Sequence, residues 1–296
     1  MDITNTNWAW PWWVVMVTIN GINVALCVRY FQASKRGPDG NNTYVKRMRI
    51  MGLIFTIVAL YRAIFVSRYL YQYAWFDTIA NSSLLIRTLA WAAELSFAGL
   101  ITCAMLRFNA DSPGRHHPAN SLARWYESKA PYALVICIFI AQFFATAGLI
   151  MKSRLAFAIE ETLWSAGFIA ILPLAIMQYR RTLSWQQTSS SRNLSMLKTF
   201  SLVNLSWCVI YVTYGVIYHL PTEYWASAFQ QIATGVPEIK TGMSAVRDAL
   251  TIVNVSHNYS DWGFGFVLWH SAYFSICVWL AIFFMRAPRA VEISRP

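Results

Sequence analysis

A chain of 296 residues in which 57% are hydrophobic and only 12% charged, with a mean hydropathy of +0.40, lacks the roughly one-quarter charged surface of a water-soluble domain. Its solvent is a lipid bilayer. The formal charge of +11 is scattered between apolar runs, with no basic block interleaved with aromatic stacking positions, which argues against nucleic acid and for topology and anionic lipid as its cause.

The chain opens MDITNTNWAWPWW with no Lys or Arg before the first apolar run, so it lacks the basic start of a secretory signal and is expected to keep that run as a helix. Trp8, Trp10, Trp12 and Trp13 then read as an interfacial belt. A bilayer core of about 30 Å takes roughly 20 apolar residues per helical span. Seven runs qualify, at about 12–30, 48–71, 83–106, 131–151, 157–178, 197–219 and 263–285. The fourth and fifth, parted only by Lys152-Ser153-Arg154-Leu155-Ala156, make a helical hairpin. The fold class is all-α: an integral, multi-pass membrane protein whose residues 1–296 form a single seven-helix transmembrane domain.

Orientation follows from the connections. Arg29, Lys35, Arg36, Lys46, Arg47 and Arg49 mark the first; Arg107, Arg115, Arg124 and Lys129 the third; Arg180, Arg181, Arg192 and Lys198 the fifth; and Arg286, Arg289 and Arg295 the tail. The positive-inside bias puts these segments and the C-terminus in the cytoplasm and the N-terminus outside, with Lys152 and Arg154 standing against the rule. The sixth connection, about 220–262, is the long one, partly helical and outside the membrane. There Met243, Val246, Leu250 and Val253 form an apolar stripe suited to the membrane surface or to capping the bundle.

Ionisable groups inside spans are costly and mark function by default. Counting 1.5 Å per residue puts Arg62, near the middle of the second span, at the depth of Glu94, so the two are expected to pair. A purely structural ion pair is the alternative reading. Glu160 and Glu161 point about 100° apart on their helix; one is expected to face the bundle and the other the outer interface, toward Arg154. Trp207, Tyr211, Tyr214 and Tyr218 form an aromatic stripe whose hydroxyls need partners. Within the spans the charges occupy the middle and outer parts, and the cytoplasmic halves read as almost purely apolar.

Arg62, Glu94, Glu160, Glu161, Tyr211 and His270 are therefore the candidate polar and aromatic pocket in the outer half, fit for a transporter or a receptor-like binder. His219, His257 and His270 with Glu94 and Glu161 are weak metal candidates, since no local ligand spacing supports them. A membrane-embedded enzyme using the same Glu and His groups in a metal or acid–base site is the alternative, and a structural subunit of a larger complex the third reading. No lysine lies within the seventh run, so no covalent retinal is expected. The five cysteines sit in separate apolar runs and read as small hydrophobes. The lipid bilayer is the expected partner, with a small-molecule ligand or another membrane protein left open.

Overall fold

The computed structural model describes residues 8–35, 42–69, 73–111, 121–186, 192–251 and 254–289. Long helices dominate: α1 (Trp10–Lys35), α2 (Thr43–Ile64), α3 (Ser83–Asp111), α4 (Ser121–Met151), α5 (Arg154–Gln186) and α6 (Arg192–Ile210). Helix α6 continues without a break through a π-helical segment, Tyr211–Trp225, into α7 (Ala226–Thr234). After α8 (Gly242–Leu250) and α9 (Tyr259–Trp262), the last rod is α10 (Phe264–Ala272), a π segment at Tyr273–Cys277, and α11 (Val278–Phe284).

Among the described residues six helices are long and apolar enough to cross a membrane, by length and composition. Helix α2 is not among them: it carries Lys46, Arg47, Arg49 and Arg62, yet packs between α1 and α3. Around the bundle Ile22, Leu26, Ile57, Ile136, Phe143 and Ile169 are exposed, an apolar perimeter that only lipid or another protein would solvate favourably. The architecture is that of a helical, multi-pass membrane protein.

Local chemistry explains where helices start, stop and loosen. Asn42 caps α2, its Oδ1 accepting from the amides of Tyr44 (3.0 Å) and Val45 (3.3 Å). The α4–α5 turn is only Lys152 and Ser153 long. Lys152 takes the left-handed conformation (φ 56°), the Ser153 amide reaches back to the Gly148 carbonyl, and Ser153 Oγ then caps α5 through the Ala156 amide. Pro131, inside α4, has no N–H for the Glu127 carbonyl; Asn109 Nδ2 supplies the missing donor at 2.9 Å. Tyr126 donates to the Ala170 carbonyl (2.5 Å) in the turn loosened by Pro173.

One end of the bundle is capped. A small sheet joins β1 (Ser67–Arg68), β2 (Tyr73–Ala74) and β3 (Asn254–Val255), with the central β2 antiparallel to β1 and parallel to β3. Trp8 bridges to Asn258. Beneath lies an aromatic knot: Trp10, Trp12 and Trp13 pack on the fully buried Trp75, and Trp12 also meets Trp262. These tryptophans staple the first helix to the cap. Two lysines, Lys152 (3.0 Å) and Lys240 (2.7 Å), share the Asp248 carboxylate and fasten α8 to the α4–α5 turn. The opposite end is basic at its rim, with Arg107 and Arg181 paired to Asp111 and Glu127.

Three expectations are corrected. The second helix ends at Ile64, not near residue 71, because the chain turns into β1, and so Arg62 lies in a last turn, not mid-helix. The sixth run does not end near residue 219: Pro221 is absorbed within the π segment and the helix runs on to Thr234. Helix α8 does cap the bundle, but through Ala245 and Ala249; Met243 and Leu250 of the proposed stripe face out, and Val253 lies outside the described residues.

Candidate functional site

Below the cap, α2, α3 and α5 direct charge inward, and α4 and the sixth rod add a neutral amide and a hydroxyl. Arg87, in the second turn of α3, is the hub. Its Nη2 donates to Glu94 Oε2 at 3.1 Å and to Gln142 Oε1 of α4 at 2.5 Å, and lies 3.4 Å from Glu160 Oε1 of α5. Gln142 Nε2 in turn donates to Glu94 Oε2 at 2.9 Å. Arg62, from the last turn of α2, lies 3.8 Å from Glu94 Oε1, donates to the Tyr69 hydroxyl at 3.2 Å, and spreads its guanidinium over Phe274 at 5.0 Å. The expected Arg62–Glu94 pair is present, but as the longer of Glu94's two ion pairs.

Glu161, on the adjacent face of α5, accepts from the Tyr211 hydroxyl at 2.6 Å. Both glutamates thus face the bundle, against the expectation that one would turn toward Arg154. The 100° between them is satisfied by two neighbours, Arg87 of α3 and Tyr211 of the sixth rod.

Beneath these charges lies an aromatic layer contributed by five helices. Phe55 packs on Phe97 (5.1 Å) and Tyr273 (6.1 Å), Phe97 on Trp207 (6.1 Å), Trp207 on Tyr211 (6.4 Å), and Tyr211 on Phe168 (4.2 Å). Both π segments border the site, starting at Tyr211 and Tyr273; such wide turns recur at functional positions.

Arg62, Arg87, Glu94, Gln142 and His270 are buried, whereas Glu160, Glu161, Tyr211, Tyr224 and Tyr273 retain part of their accessible surface. Polar atoms are left over. Among the described residues, Arg62 Nη1, Arg87 Nε, His270 Nδ1, Ser165 Oγ and Trp207 Nε1 have no hydrogen-bond partner, although groups this deep are nearly always satisfied by protein or water.

His270 lies on the α10 side of the cluster, its ring against Trp12 (5.2 Å) and Phe274 (4.4 Å). The other metal candidates are dispersed. His257 sits in the cap, Nε2 at 2.9 Å from the Trp75 carbonyl, and His219 stacks on Tyr214. Among the described residues no three His, Cys, Asp or Glu side chains are placed to hold a metal ion. The aromatic stripe of the sixth rod divides likewise: Trp207 and Tyr211 turn inward, while Tyr214 and Tyr218 are exposed.

Sequence reasoning left Arg87 and Gln142 out of the pocket. The signal for Arg87 was its spacing of seven from Glu94, two turns along one helix face; Gln142 carries no charge and stands in an otherwise apolar run. No family model, curated protein or solved structure matches the chain.

Proposed function

We propose that the chain is a seven-span membrane protein with its capped, N-terminal end outside and its C-terminus in the cytoplasm, and that the charged cluster lines an outer chamber binding a small solute, as in a transporter or receptor-like binder. One observation carries the reading. Glu160, Glu161, Tyr211 and Tyr273 engage groups on neighbouring helices, yet each keeps accessible surface. Accessible surface on an inward side chain belongs to a concavity, and a concave site with a few convergent polar groups on aromatic walls is the usual form of a ligand site. Arg87 Nε, which has no hydrogen-bond partner among the described residues, supports it, since ordered water in such a chamber would complete it.

An embedded enzyme would need an acid–base pair held ready for substrate. Here Glu94 and Glu160 are held by two arginines and Gln142, an arrangement that fixes shape. Helix α2 fits as the seventh span because its charges cluster at its ends: Lys46, Arg47 and Arg49 at the basic rim and Arg62 against Glu94.

The topology is tested by single cysteines in a background cleared of native ones. Ile79→Cys, beside the cap, should react with a membrane-impermeant maleimide added outside cells, and Leu122→Cys, at the start of α4, only after the membrane is opened; both positions are exposed. Labelling of both from one side would overturn the seven-span arrangement. The chamber is tested by a solute screen on the protein in lipid nanodiscs: at least one class of small polar solute should raise its unfolding temperature, and a screen of cations, anions and neutral solutes without response would overturn it.

A further inference from the structure

Resting on the chamber reading above, we infer that the ligand is a small organic cation, an alkyl- or quaternary ammonium of about choline size, seated between Glu161 and the aromatic rings of α5 and the sixth rod.

Charge counting comes first. The cluster holds two guanidinium groups, Arg62 and Arg87, and three carboxylates, Glu94, Glu160 and Glu161. Both arginines contact Glu94, and Arg87 also reaches Glu160. Among the described residues Glu161 has no Lys, Arg or His within ion-pair distance; its partner is the neutral Tyr211 hydroxyl. A carboxyl group at this depth without a cation either keeps its proton or takes a cation from outside the chain, and a permanently charged ammonium supplies the second. An anion in the same chamber would meet two arginines already engaged and a surplus of negative charge.

The walls fit the same ligand. Tyr211, which holds Glu161, lies 6.4 Å from Trp164, 4.2 Å from Phe168 and 6.4 Å from Trp207, ring centre to ring centre. Aromatic faces beside a carboxylate are the recurring surroundings of alkylammonium groups, because the ring faces are negative and their surface suits the methyl groups. An independent observation points to a ligand with a second polar group. Ser165, one turn below Glu161 and 2% exposed, has an Oγ without a partner. Trp207 Nε1, on the facing helix, is also unpartnered. A hydroxyl on the ligand would satisfy one of them.

The experiment uses the full chain in nanodiscs, read by tryptophan fluorescence and unfolding temperature, with four probes at equal ionic strength: choline, tetramethylammonium, acetate, and 3,3-dimethylbutan-1-ol, the uncharged shape analogue of choline. Choline and tetramethylammonium should bind, choline more tightly, and the uncharged analogue and acetate at least tenfold more weakly. Glu161→Gln, which keeps a side chain able to bond Tyr211, should lose at least tenfold in choline affinity while unfolding normally without ligand; Glu161→Asp should restore part of it. Binding of acetate or the neutral analogue in preference to choline, or choline affinity unchanged in Glu161→Gln, overturns the cation assignment and leaves the chamber standing. No response to any probe overturns the assignment too, and the wider screen above then decides the chamber separately.

Discussion

The two ends of the bundle handle polarity in opposite ways. At the basic end charge stays mostly on the rim, as Arg107–Asp111 and Arg181–Glu127 pairs, and apart from Arg49 of α2 the groups taken inside are neutral. Most of those serve the main chain: Thr102 donates to the Pro131 carbonyl, Gln178 to that of Met105, and Asn109 to that of Glu127. This half is not almost purely apolar, as a survey of charges alone would have it; Asn109, for one, supplies the donor that Pro131 cannot give the Glu127 carbonyl. Toward the capped end full charges are inside, they bond chiefly to one another, and several of their atoms are left over. Unpartnered buried atoms occur in both halves, Gln178 Oε1 among them, so the contrast lies in where full charges are gathered inside.

The sharpest way to break this contrast is Arg87→Met. It strips an ion-pair partner from both Glu94 and Glu160, and leaving buried charge uncompensated costs about 3–5 kcal/mol. Unfolding in mild detergent should show that loss, and adding Glu94→Gln should recover part of it. Strictly additive effects would mean that the two residues do not act as a pair.

A change in the other half should lower stability without touching solute binding. A side chain at Gly52 would start 2.1 Å from Met285 Cγ, so Gly52→Val should cost about 1–3 kcal/mol by overpacking. Its affinity for any chamber ligand should match that of the unmodified chain, measured below the unfolding temperature; a changed affinity would join the two halves. Asn109→Ala removes the donor to the Glu127 carbonyl and should cost about 1 kcal/mol in the same assay. The smallest effect belongs to Asp248→Asn in the cap, where the lysine pairs are partly in water and screened by salt. Its unfolding midpoint should approach that of the unmodified chain at high salt, and a gap that persists there would show the clasp to be buried in function if not in surface.

The hydrophobic runs located the bundle because a spanning helix must present a long apolar surface whatever its neighbours do. Depth counting paired Arg62 with Glu94 although it ran the second helix on too far; with α2 ending at Ile64, Arg62 reaches Glu94 from a last turn. Arg87 as hub was harder to see: its importance lies in reaching Gln142 and Glu160 on two other helices, which no property of its own helix states. The continuation of the sixth rod past His219 was hidden by Pro221, which reads as the start of a loop until the wide π turn is known to accommodate it. The small sheet, built from three two-residue strands of which β3 is remote in sequence, leaves too short a pattern to recognise.

That sixth rod has a further consequence. From Ser195 to Thr234 it is 40 residues of continuous helix, about 60 Å of rise at α-helical geometry and twice the thickness of a bilayer core. Gln231, near its end, holds the cap, donating to the Lys152 and Pro237 carbonyls and accepting from the Arg154 amide. Tyr211, on the same rod, holds Glu161. Anything that favours one setting of this helix at the cap biases the tyrosine, and thermodynamic linkage makes the bias mutual. An antibody fragment that recognises the cap and alters solute affinity by a given factor must have its own affinity altered by the solute by that same factor.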